Sequence, residues 1–107
     1  MTEPRGRLSI RSSDLVVALT ALKAAQKYGK AVELSVRDGE LCIRRGVSSV
    51  RLPVTGSWTG TALVSGEVLR GLWTRRKAFP EVFTLLATEA RLHFSHFEAR
   101  ASWRDDA

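Results

Sequence analysis

Thr61 to Trp73 reads TALVSGEVLRGLW. Its first four residues suit a short strand, and Ser65 offers a hydroxyl to the free N–H groups of a helix start. Glu67 then stands in the first turn, where the helix dipole favours an acid. Val68, Leu69, Leu72 and Trp73 recur at helical spacing and make an apolar stripe, and Pro80 bounds the helix. Three alternating runs follow: Glu81 to Ala87 (EVFTLLA), Arg91 to Ser95 (RLHFS) and Phe97 to Trp103 (FEARASW). They read as strands, with turns at Thr88-Glu89-Ala90 and around His96.

The residues before Thr61 repeat this order. Arg7 to Arg11 (RLSIR) alternates as a strand does, and Ser12, Ser13 and Asp14 can start a helix. Asp14 to Tyr28 places Leu15, Ala18, Leu19, Leu22 and Ala25 on one face, and Gly29 is a natural stop. Ala31 to Arg37 (AVELSVR) and Glu40 to Arg45 (ELCIRR) flank the tight-turn pair Asp38-Gly39 and predict a hairpin. Ser49 to Val54 (SVRLPV) is a third strand, with Pro53 suiting an edge or an end, before Thr55-Gly56-Ser57 breaks the pattern. Setting Leu8 against Ala62 gives a period of roughly 54 residues. The expectation is an α+β fold of two βαβββ repeats, about 7–57 and 60–104, with residues 1–6 and 104–107 as loose tails. One such half cannot cover its own sheet, so two would pair, with both helices on one face of antiparallel sheet.

A chain of 107 residues, 44% of them hydrophobic, supports one packed domain, 1–107, and is too short for an elaborate multi-domain enzyme. Cys42 is the single cysteine, so a stapled secreted mini-domain is excluded and a reducing, cytoplasmic setting is expected. Leu15 to Leu22 (LVVALTAL) abuts Asp14 and ends at Lys23, which makes it an internal helix and leaves it far short of a membrane span.

Seventeen Lys and Arg against eleven Asp and Glu give a formal charge of +6. At about 100° per residue, Thr20, Lys23 and Lys27 share one sector of the first helix, and Arg70, Thr74 and Lys77 share one of the second. Lys23, Lys27, Lys30, Arg70, Arg75, Arg76 and Lys77 would then concentrate on the helical face, diluted only by Asp14 and Glu67. Cations spaced along a face without a base-reading element suit phosphate contacts that are salt-sensitive and indifferent to sequence.

Catalytic chemistry finds no candidates. Gly60 and Gly66 are isolated, and no phosphate-cradling glycine motif occurs. His93 and His96 stand three apart near a strand end, with no cluster to complete a metal site. Ser95 lies between them without a third group to orient a base, and the carboxylates are scattered singly. No enzyme activity, cofactor or metal is expected. Trp73 and Trp103 fit packing positions, which leaves Trp58, in a Gly/Ser/Thr-rich link, as the exposed tryptophan.

The order of elements resembles one domain of the DNA sliding clamps, the family of the bacterial DNA polymerase III beta subunit and the proliferating cell nuclear antigen. The likeness runs from Leu8 to Trp103. Ser13 to Lys27 is similar to the first clamp helix, Val36 to Leu41 (VRDGEL) to its following hairpin, and Gly60 to Leu72 (GTALVSGEVLRGL) to the strand that leads into the second helix. Clamps are rings of six such domains whose helices line a hole holding duplex DNA. The resemblance implies a non-enzymatic processivity factor of replication or repair, with Lys23, Lys27, Arg70 and Lys77 facing the DNA. A single domain would need to oligomerise through edge strands, for which Ser49 to Val54 and Phe97 to Trp103 are candidates. The alternative is an adaptor or regulator that keeps the fold and binds replication or repair proteins in place of DNA.

Overall fold

Asp38 and Gly39 both take positive φ, 51° and 76°. This pair of left-handed conformations lets a two-residue turn follow the twist of its flanking strands. The computed structural model describes residues 5–22, 31–94 and 98–105. In chain order the elements are β1 (Gly6–Arg11), α1 (Ser12–Ala21), β2 (Val32–Arg37), β3 (Glu40–Arg45), β4 (Ser48–Pro53) and β5 (Thr55–Trp58). They continue as β6 (Thr61–Val64), α2 (Glu67–Thr74), a single 3-10 turn at Arg76–Ala78, β7 (Val82–Ala87), β8 (Arg91–His93), β9 (Glu98–Arg100) and β10 (Ser102–Arg104).

The strands form two antiparallel five-stranded sheets. The first has the order β5-β1-β7-β8-β9 and the second β10-β6-β2-β3-β4. The expected hairpin is present, with Arg37 opposite Glu40, and β4 continues it with Pro53 opposite Glu40 at the strand's end. There the missing proline N–H interrupts no inner ladder.

Each helix carries the chain from one sheet to the other, and so do two near-continuous strand pairs. At Val54 the chain leaves β4 in the second sheet and enters β5 in the first, and at Ala101 it leaves β9 and enters β10. The sequence reading therefore needs three corrections here. The single antiparallel sheet is two sheets, Thr55-Gly56-Ser57 is strand, and Phe97 to Trp103 is divided, with Glu98–Arg100 and Ser102–Arg104 in different sheets.

Both helices and both sheets enclose one core. Leu15 of α1 and Val68, Leu69 and Leu72 of α2 border the same small apolar space as Ile10, Phe83 and Leu85 of the first sheet and Leu34, Leu41 and Ile43 of the second. The two helices also touch. Burial of α1 follows the expected stripe at Leu15, Ala18, Leu19 and Leu22, while the expected extension through Ala25 to Tyr28 lies outside the described residues. Ser12 does not cap α1 with its side chain. Its N–H donates to the Glu81 carbonyl at 3.0 Å and its hydroxyl to that of Pro80, because the end of β1 runs beside the start of β7. Ser65 does cap α2, its hydroxyl accepting the Glu67 N–H at 3.3 Å. At the other end of α1 the buried Arg45 donates from its guanidinium to the Leu22 carbonyl, placing a cation where the helix dipole is negative.

Trp58 is not exposed as expected. It is 4% accessible and meets Trp103 edge to face with ring centroids 5.6 Å apart. The cause is the pairing of β1 with β5, which sets Trp58 opposite Gly6 and Gly56 opposite Leu8. A Cβ at Gly6 would meet the Ser57 carbonyl and the Trp58 Cβ, and one at Gly56 the Arg7 carbonyl, so each glycine lets the two strands close up. Of the expected tails 1–6 and 104–107, residues 1–4 and 106–107 lie outside the described residues, and Arg5, Arg104 and Asp105 make side-chain contacts. The Arg5 guanidinium grips both Glu89 carboxylate oxygens at 2.8 and 3.0 Å, binds Asp105 at 2.8 Å and lies 4.5 Å over the Trp103 ring. Arg104 pairs with Glu33 at 2.9 Å.

Two outcomes follow from this packing. Gly39→Ala costs about 1–2 kcal/mol for its left-handed backbone alone. Gly56, at φ 98°, additionally has no room for a Cβ, which would strike the Arg7 carbonyl. Gly56→Ala therefore costs more than ~3 kcal/mol in urea unfolding, and equal costs would refute the close approach of β1 and β5. The hydrogen bonds from Arg5 hold the Glu89 carboxyl below its ordinary range. A depressed acid stabilises the fold above its unfolded pKa, and that contribution disappears as pH falls through the folded one. Glu89→Gln should thus flatten the loss of stability as pH falls through and below the ordinary glutamate range, measured by unfolding at each pH.

Candidate nucleic-acid interface

The stripe that buries Val68, Leu69 and Leu72 turns Glu67, Arg70 and Thr74 outward on α2. Thr74 donates its hydroxyl back to the Arg70 carbonyl at 2.9 Å, a bond that threonine makes without leaving the helix. Arg70 and Lys77 are exposed and form no ion pair with a described residue. Thr74, grouped with them by the sequence, is exposed as well.

Arg75 and Arg76, expected on the same face, contact the end of α2. Arg75 donates to the Gly71 carbonyl at 3.2 Å. Arg76 is half-buried, donates to the Trp73 carbonyl at 2.8 Å and stacks 3.9 Å over the Trp73 indole. Both fold back on the last turn of α2, where the second lone pairs of the last carbonyls and the negative end of the dipole hold cations. Counting residues by sector could not separate these from Arg70, because the distinction depends on where Trp73 presents its ring.

Lys23, Lys27 and Lys30, the cations expected from the first helix, lie outside the described residues. Over its described length α1 presents Ser13, Val17, Thr20 and Ala21 to solvent, a surface without charge on which Val17 is 69% accessible.

The outer faces of the sheets hold more cations than the sequence suggested. Arg7, Arg11, Arg91 and Arg100 lie exposed on the first sheet. On the second, Arg37, Arg44, Arg51 and Arg104 line a groove of about 440 Å³ together with Glu33, Asp38, Glu40 and Cys42. The strand register puts Arg44 opposite Glu33 and Arg37 opposite Glu40, so charges here largely offset one another. On the first sheet His93 Nδ1 stands 3.1 Å from Glu98, whose other oxygen meets Arg91. His96 and Ser95 lie outside the described residues.

Among the described residues no three His, Cys, Asp or Glu side chains come together as a metal set. Nor is any described helix long and apolar enough to cross a membrane. No protein-family model matches the chain, and no curated protein does.

The division among the α2 cations has a direct consequence. Arg76→Ala should lower stability by about 1 kcal/mol through removal of its stacking and capping, whereas Arg70→Ala should change it by less than ~0.5 kcal/mol. Urea midpoints of the two variants decide it, and equal losses would contradict the division.

Proposed function

We propose that this chain is a sliding-clamp-like, DNA-associated protein that contacts the backbone of duplex DNA without sequence preference, as an oligomer, through the exposed cations of its helical face. The observation that carries the reading is the correspondence of the two sheets. Exchanging β1 to β5 with β6 to β10, in order, converts the strand order β5-β1-β7-β8-β9 into β10-β6-β2-β3-β4. The same exchange turns α1, between β1 and β2, into α2, between β6 and β7. This supports two structurally equivalent halves despite their slight residue identity, and brings two touching helices to corresponding places. That arrangement is the one the clamp resemblance requires.

In this reading Arg70 and Lys77 reach phosphates directly, and Lys23, Lys27 and Lys30, which lie outside the described residues, are further candidate phosphate contacts. Arg75 and Arg76 hold the end of α2. Copies join through edge strands, of which each sheet has two, β5 and β9 in the first and β10 and β4 in the second, and β4 and β9 fall in the two stretches expected from the sequence. Assembly is needed because one domain cannot surround a duplex. The recruitment of Arg75 and Arg76 to carbonyls of their own helix favours one second reading, an adaptor with a clamp-like fold that binds replication or repair proteins and not DNA.

Arg70→Glu combined with Lys77→Glu separates the two. Clamp-like binding predicts lower affinity for a short duplex at low salt, and a log-log salt dependence flattened by about one unit for each phosphate that the variant no longer neutralises. Unchanged affinity in a variant of unchanged urea midpoint would remove the DNA-binding reading and leave the adaptor.

A further inference from the structure

Arg91 of β8 and Arg100 of β9 are directly opposed in the register of the first sheet. Directly opposed residues bring their Cβ atoms to about 5 Å, and like charges at that position repel. One carboxylate serves the pair. Glu98 meets Arg91 through a single guanidinium nitrogen and is itself held by His93. Arg100 is exposed and forms no ion pair with a described residue. The two arginines line a groove of about 390 Å³ with Ser102, Leu63, Ala90 and Ala101. It lies where the chain passes from β9 in one sheet to β10 in the other.

We propose that this groove binds a phosphate monoester, separately from the helical face. Two guanidinium groups and a hydroxyl offer more donors than a carboxylate can accept, and they suit the oxygens of a tetrahedral dianion. The anion between Arg91 and Arg100 relieves their repulsion. Glu98 orients Arg91 without using its remaining nitrogens. Leu63, Ala90 and Ala101 supply an apolar wall for a small organic group carried by the phosphate. The site therefore discriminates a monoester dianion from chloride and from the single charge of a phosphodiester.

The test is a titration of the full chain with inorganic phosphate at constant ionic strength, followed in amide correlation spectra. Binding should shift the amides of residues 90–91 and 100–102, and Arg100→Gln should weaken it about tenfold, the worth of one charge-assisted hydrogen bond. Arg70→Glu with Lys77→Glu should leave it unchanged. Phosphate binding of native strength in Arg100→Gln would overturn the proposal, as would its loss in the α2 variant. A further arm uses glycerol 3-phosphate against dimethyl phosphate, and equal affinity for the two would also overturn it. The α2 variant's effect on duplex binding is read separately, so failure of the DNA reading and failure of this one are distinguishable.

Discussion

The constraint on which the fold depends is that two sheets must share one apolar core without leaving that core open at the sides. The chain solves it by crossing between the sheets repeatedly. Val54 and Ala101 redirect strands from one sheet to the other, and α1 and α2 do the same over longer paths. Every crossing returns apolar residues to the shared interior, so Leu8 and Phe83 from one sheet and Val32 and Leu41 from the other are all buried. Within the first sheet, the close approach of β1 and β5 adds a further demand. It requires glycine on each strand, Gly6 facing Trp58 and Gly56 facing Leu8. Arg5 then fastens the same region from outside by joining Glu89, Asp105 and the Trp103 ring.

Local periodicity makes much of this legible. The alternation of AVELSVR and ELCIRR around Asp38-Gly39 specifies the hairpin, because a strand's side-chain period is two and that dipeptide suits the turn. The stripe Val68, Leu69, Leu72 specifies the buried side of α2 by the same logic at a period of 3.6. What periodicity does not reveal is which sheet a strand joins. Phe97 to Trp103 alternates without interruption in sequence, yet Ala99 and Trp103 belong to strands of different sheets. The burial of Trp58 is hidden for a related reason. Gly, Ser and Thr around it indicate a turn locally, while its place in the core is decided by Gly6, fifty-two positions away across a strand pair.

The basic balance of the chain is likewise divided by structure into cations with different tasks. Arg45 caps α1, Arg5 pairs with Glu89 and Asp105, and Arg75 and Arg76 close α2. On the second sheet arginines face glutamates across the register. Arg70 on α2 and Lys77 in the turn after it are exposed without such a partner among the described residues. A formal charge of +6 says nothing of this division. The functional reading gains from it, because a face made of cations with no structural task is better suited to exchanging counterions with a polyanion.

The central claim is that a domain of this size acts by assembling around or along DNA, and its most direct test is the mass of the native protein in solution. Sedimentation velocity over a range of concentrations, with and without a short duplex, measures it. The account predicts a species several times the 11.8 kDa of one chain, populated further when duplex is present. A sedimenting mass of one chain under every condition would contradict it.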